Sequence, residues 1–167
     1  LEGAMQAEGR LDARYSLTEV PFALANAFAA AQSPLSFAGT LAGEGRIARN
    51  AEGEFSGNAQ LRSARGEIAR LVADDEQPEV LLSFNDLAID AALEADRART
   101  QLAARLNETG SLRGELAITQ LGQPASELNG SLAAHLPSIA VVELFAPQVA
   151  NVKGELNLRA AVQGRMD

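Results

Sequence analysis

The 167-residue chain has no cysteine, a single histidine, and aromatic residues at only 4% of its positions. Each scarcity excludes something. Without cysteine there are no disulfides and no thiolate metal sites, while the choice between a reducing and an oxidising compartment stays open. A Ser–His–carboxylate triad has one base to use, His135, on the polar parity between Ala134 and Leu136. There a solvated surface residue is expected, and no carboxylates at ligand-like spacing accompany it. A compact core is usually anchored by aromatic residues that bury roughly 150–250 Å² each. Here hydrophobic residues make up 47% of the chain but are mostly small or medium in size, which suits an extended, shallow sheet. No run of about 18 apolar residues exists, so no helical membrane span is expected. Positive charge is also short: the formal net charge of -8 argues against nucleic acid, which needs clustered Lys and Arg, and against an anionic membrane surface.

Catalytic motifs are missing too. The stretch Gly39-Thr-Leu-Ala-Gly-Glu-Gly lacks the Gly-Lys-Ser/Thr and the helix start of a phosphate loop. Glu52 and Glu54 lie two apart with no apolar pocket to raise a carboxyl pKa. The run Asp74-Asp75-Glu76-Gln77-Pro78 is expected to be a solvated loop rather than a cation site. The expectation is a non-enzyme with no catalytic residue, no metal and no cofactor.

What the chain does have is alternation. From Gly110 it reads Gly-Ser-Leu-Arg-Gly-Glu-Leu-Ala-Ile-Thr, from Gly130 Gly-Ser-Leu-Ala-Ala-His-Leu, and from Gly154 Gly-Glu-Leu-Asn-Leu-Arg-Ala-Ala-Val-Gln-Gly. Small or apolar residues fall on one parity and mostly polar ones on the other, which places them on opposite faces of a strand. The same pattern appears at residues 8–17, 35–41, 55–61, 80–95 and 102–106, with the parity ambiguous around Leu81-Leu82. Turns are expected at Gly43-Glu44-Gly45 (or a bulge), at Asn50-Ala51-Glu52-Gly53, at Asp96-Arg97 and at Asn107-Glu108-Thr109-Gly110. Thr18-Glu19-Val20-Pro21 offers an N-cap hydroxyl and a first-turn proline, predicting a short helix over residues 22–31. Pro137-Ser138 predicts a second over residues 139–145. Neither is long enough to cross between parallel strands. The fold expected is therefore mainly β: a curled antiparallel sheet, a half-pipe with a hydrophobic interior, carrying two short helical inserts that cap an open end. Residues 1–5 (Leu-Glu-Gly-Ala-Met) are expected to be a cloning scar and are set aside. Residues 6–167 are expected to form one β-rich domain, a fragment of a longer chain.

The apolar parity supplies the candidate site: Leu11, Tyr15, Phe37, Leu41, Phe55, Leu61, Ile89, Leu102, Leu106, Leu112, Leu116, Ile118, Leu128, Leu132, Leu156, Leu158 and Val162. Composition alone favours the inner face of a sandwich or barrel. The alternative is a trough for acyl chains, with Gly39, Gly57, Gly114, Gly130 and Gly154 on the apolar parity giving curvature and leaving room for a ligand.

The phrase from Leu136 through Pro137-Ser-Ile-Ala-Val-Val-Glu-Leu-Phe-Ala-Pro to Gly154-Glu-Leu-Asn-Leu-Arg-Ala-Ala-Val-Gln-Gly resembles the C-terminal region of the TamB family, the inner-membrane subunit of the translocation and assembly module. The resemblance is best over residues 110–167 and rests on the order of helix, proline and Gly-x-Leu-x-Leu strand. It implies an AsmA-like, bridge-like lipid transfer protein anchored in the inner membrane of a Gram-negative bacterium and crossing the periplasm. It also implies a long sheet curled into a β-taco that conducts phospholipid acyl chains toward the outer membrane. It further implies an outer-membrane barrel partner, TamA, met by a C-terminal end that this chain stops short of. Outer-membrane β-barrel clients such as autotransporters would follow, and no catalytic residues carry over. A scaffold that adds a strand to such clients is the rival expectation.

Overall fold

Alternation at period two becomes a single sheet in the computed structural model, which describes residues 2–5, 10–27, 35–70, 78–121, 123, 125–138 and 154–166. The strands are β1 (Glu2–Met5), β2 (Leu11–Pro21), β3 (Leu35–Arg49), β4 (Phe55–Arg70), β5 (Glu79–Glu94), β6 (Arg97–Leu106), β7 (Gly110–Thr119), β8 (Ser126–Leu136) and β9 (Leu156–Met166). They lie side by side in chain order, each antiparallel to the next, so that eight long strands follow one short one. The sheet is curled and does not close. Residues 2–5, which the sequence reading sets aside, pair with Leu11–Arg14 of β2.

The connections follow from residues that tolerate positive φ. Asn50 begins the β3–β4 loop, accepting from the Glu54 N–H through Oδ1 at 2.8 Å. The β5–β6 turn is Ala95-Asp96, one residue earlier than the sequence predicts, with Ala95 at φ 49° and its N–H donating to the Phe55 carbonyl. Asn107, at φ 50°, opens the β6–β7 turn, and its Oδ1 accepts from the Ser83 N–H at 3.0 Å, which ties the turn to β5. The buried Ser126 hydroxyl donates to the Gln120 carbonyl at 2.9 Å and closes the β7–β8 connection.

Two expectations are corrected. The sequence predicts a helix over residues 22–31; the structure has one 3₁₀ segment, Phe22–Ala27. The predicted cap residues Thr18 and Glu19 are taken up by β2, which keeps pairing with β3 as far as Pro21↔Thr40. Ladder bonds to an existing neighbour outcompete a short, marginal helix. The rest of that predicted helix, and the second over residues 139–145, lie outside the described residues. Gly43-Glu44-Gly45 does not interrupt anything: β3 runs straight through it for 15 residues.

No second layer covers the sheet among the described residues. The substantial contacts between elements join chain neighbours and the 3₁₀ segment to β3. The chain exposes 11618 Å², whereas a compact monomer of 17.5 kDa exposes about 7,900 Å². None of the described side chains is fully buried. Buried residues gather in a small cluster, Ala104, Leu106 and Leu136, with Leu82, Phe84, Leu87, Leu112 and Leu156 against it. It sits at one end of the strands.

Candidate functional site: the apolar face of the sheet

Residues directly opposite in an antiparallel ladder share a face, so the register decides which side chains stand together. Leu11 opposes Arg49, which opposes Phe55; Tyr15 opposes Gly45, which opposes Ala59. Leu61, Ile89, Leu102, Gly114 and Leu132 then follow one another across five strands. Leu116 faces Gly130, which faces Val162, and Ile118 faces Leu128. Leu106, Leu112, Leu156 and Leu158 fall on the same side through Gly110, Ala134 and Leu136. Phe37 and Leu41 join through Ile68 and Val20. The register thus brings every one of the sequence-predicted lining residues to one face.

That face is not flat. Register shifts fall between Leu17 and Val20 in β2, between Gly39 and Ala42 on the β3–β4 pair, and between Asn85 and Ala88 in β5. Glu19 at φ 50° and Asp86 at φ 51° mark two of them. Bulges bend a strand and raise its twist. These lie in neighbouring positions of neighbouring strands, so the sheet creases along a line running across the strands. The bulge at Asp86 also resolves the ambiguous parity of β5. Leu82 and Phe84 share the apolar face with Leu87, Ile89, Ala91 and Leu93 because one residue is absorbed between them, and a second register shift near Ile68 sets Leu81 apart.

Glycine on this face plays a different part from the one the sequence suggests. The room above it is largely taken. A Cβ on Gly45 would overlap the Tyr15 ring opposite, and one on Gly66 would overlap the Phe84 ring opposite. Only glycine lets an aromatic ring lie down across its strand, and the ring in turn covers the bare backbone. Gly43 is covered in the same way by Leu61. Phe22 from the 3₁₀ segment meets Phe84 edge-to-face at 5.7 Å, above the opposed pair Gly39 and Gly66. Curvature and coverage follow at these positions, whereas the nearest atoms to a Cβ on Gly57 are the backbone of the neighbouring strand and a Cβ on Gly164 would meet nothing within 4 Å.

Beyond the packed end the face opens. Ile47, Phe55, Leu116, Leu132, Leu158 and Val162 keep between 37% and 53% of their surface exposed. A concavity of about 400 Å³ lies there, floored by Tyr15, Ile47, Gly57, Ala59, Ala91, Leu93, Ala98 and Thr100. Ala91, Ala98 and Thr100 were missed as lining residues because they are small or polar. Parity already places Ala91 beside Ile89 and Leu93; the pairing of β5 with β6 adds Ala98 and Thr100.

The opposite face is wet. Arg46 donates to Asp12 at 2.9 and 2.5 Å, Arg62 to Asp90 at 2.6 Å, and Arg105 to Asp86. The Arg46 hydrogen bond holds the Asp12 carboxyl below its usual range, and Asp12 in turn raises Arg46. These pairs are exposed, so they set orientation more than stability. His135 lies on this face with Nδ1 2.9 Å from Oδ1 of Asn157, its partner across the ladder. Among the described residues no group of three or more His, Cys, Asp or Glu could hold a metal, and no helix is long and apolar enough to cross a membrane.

A single open, curled antiparallel sheet, apolar on one face and charged on the other among the described residues, defines the class; a sandwich would need a second layer and a barrel a closed one. A family model described as TamB, N-terminal domain, matches residues 1–167, and the chain belongs to that family. The matched domain is the N-terminal one, which corrects the resemblance of the phrase from Leu136 to the family's C-terminal region. No curated protein and no solved structure matches the chain.

Proposed function

We propose that this domain is a passive, non-enzymatic conduit, a periplasmic section of a TamB-like envelope-biogenesis protein that receives phospholipid acyl chains on its apolar face. One observation carries the reading: large aliphatic side chains from each of eight strands share one face, with no second layer over them among the described residues. Contiguous exposed apolar surface of this kind marks a binding surface rather than a stable exterior. Burial of each CH₂ stabilises by about 0.8 kcal/mol, and a surface of uniform character lets a chain slide without deep traps. Family membership supports a place in the bacterial envelope and in an assembly module, with TamA as the outer-membrane partner of the full-length protein.

Native mass spectrometry with lipid extraction on the purified chain tests this. Phospholipid carried by the wild type and lost in Leu158→Arg supports the conduit. Equal loading of a folded Leu158→Arg overturns it.

A second reading has its own observation. β9 (Leu156–Met166) pairs only with β8, contains no proline, and leaves one edge of eleven residues open among the described strands. Such an edge can template a strand of a client barrel protein. Photo-crosslinking from Leu116 and from Gln163 separates the readings: lipid adducts at the apolar face favour the conduit, protein adducts at β9 favour the scaffold.

A further inference from the structure

The apolar face carries very little charge among its described strand positions. One pair, Arg70 and Glu79, sits directly opposed and bonded at 2.6 Å at the packed end. The remaining charge is Arg49, at the other end, between Leu11 and Phe55. Arg46, Arg62, Arg70 and Arg105 each hold a carboxylate. Arg49 holds none. Its guanidinium lies over the Phe55 ring, 5.6 Å from the centroid, and Nε reaches only the Gly53 carbonyl, at 3.4 Å. Arg49 itself is exposed.

The position of this cation matters more than its exposure. Ile47, the next residue of β3 on the same face, floors the concavity of about 400 Å³ together with Tyr15, Gly57 and Leu93. That volume lies within the range of small-molecule sites, roughly 300–1,000 Å³. The arrangement sets a ring-supported guanidinium two residues along β3 from the Ile47 floor of an apolar hollow, and a guanidinium is the fork that receives a carboxylate or phosphate through two parallel hydrogen bonds. A purely apolar ligand makes no use of such a group.

We propose that Arg49 is a head-group subsite: it selects amphiphiles with an anionic carboxylate or phosphate head whose alkyl chain lies in the adjoining hollow. This rests on the apolar face acting as a trough, and the test separates the two ideas. The fluorescent fatty acid cis-parinaric acid and its uncharged methyl ester are titrated into the 167-residue chain and into Arg49→Gln, which keeps the stem and removes the charge. Wild type binds the acid about two- to fivefold tighter than the ester, the range of an exposed ion pair, and the gap narrows as salt rises. Arg49→Gln equalises the two without weakening the ester, and Arg49→Lys restores part of the preference. Dodecyl phosphate displaces the methyl ester more readily from wild type than from Arg49→Gln, while dodecyltrimethylammonium does not. Equal binding of acid and ester by wild type, or an undiminished preference in Arg49→Gln, overturns the subsite and leaves the trough standing. Failure of both probes to bind wild type removes the trough and the subsite together.

Discussion

A charge placed on the apolar face should abolish ligand binding at some positions without unfolding the protein, and the structure says which. Leu158 on β9 stands opposite Ala134 and keeps 40% of its surface exposed. Burying a leucine side chain completely is worth about 1.5–3 kcal/mol, so the portion lost in Leu158→Arg is about 1–2 kcal/mol, reduced further because the arginine stem can lie along the face with its head in water. For a chain of this size that is a fall in Tm of about 2–8 °C. Leu106, at 5% exposure within the packed cluster, offers no such escape, and Leu106→Arg should fail to fold. If an alkyl chain crosses position 158 and loses contact for about three methylenes, the penalty is about 2.4 kcal/mol, or roughly fiftyfold in Kd. The assay pairs thermal melts with titration of the uncharged parinarate ester, which reads apolar contact alone. A folded Leu158→Arg with wild-type affinity for the ester would refute the idea that this face is the ligand surface.

Further outcomes follow from the local geometry. Gly66→Val sets a side chain into the space of the Phe84 ring and should cost about 1–3 kcal/mol in chemical denaturation; pairing it with Phe84→Ala should recover part of the loss, a non-additivity that independent sites would not show. Asp86 sits at φ 51° in the β5 bulge, so Asp86→Val should lose about 1–2 kcal/mol, whereas Asp86→Gly should fold normally despite losing the Arg105 pair. Because Arg46 depresses the folded-state pKa of Asp12, the contribution of that pair is present above the unfolded carboxylate pKa and lost as the pH falls through the folded value. Melts of wild type and Asp12→Asn should therefore converge on acidification and differ most near neutrality, and a gap that widened in acid would contradict the sign. Phe22→Ala removes the edge-to-face contact with Phe84, worth about 0.5–1.5 kcal/mol beyond area burial, and should expose the packed end to apolar dyes.

The face was legible in the sequence because parity survives even where pairing is unknown. Leu112, Leu116 and Ile118 alternate without interruption, and no register was needed to group them. The crease was not legible. Asp86 is an ordinary polar residue in an alternating run, and nothing local says that its backbone turns left-handed until β6 supplies the partner that skips it. Gly43 and Gly45 misled in the opposite direction: their pairing with Leu61 and Tyr15 makes them floor positions of a long strand, while the same residues read alone suggest a turn. Thr18 and Pro21 carry helix-start chemistry, yet the neighbouring strand claims them. Arg49 shows the limit most plainly. The sequence reading assigns it no face, and its lack of a carboxylate partner among the described residues depends on which strands flank it.

The strict chain order of the strands makes this sheet something like a measuring tape. Each strand is held by the one before and the one after it, so the stability of the whole approximates a sum of nearest-neighbour terms, as in stacked repeats. No residue on β9 needs to know what β2 contains. A hairpin could be inserted or removed with a change of about 9–10 Å in span, and the apolar face would remain continuous as long as parity was kept. Length therefore becomes an evolvable quantity separate from the character of the surface, and a gap of any width can be matched by counting hairpins rather than by redesigning a core.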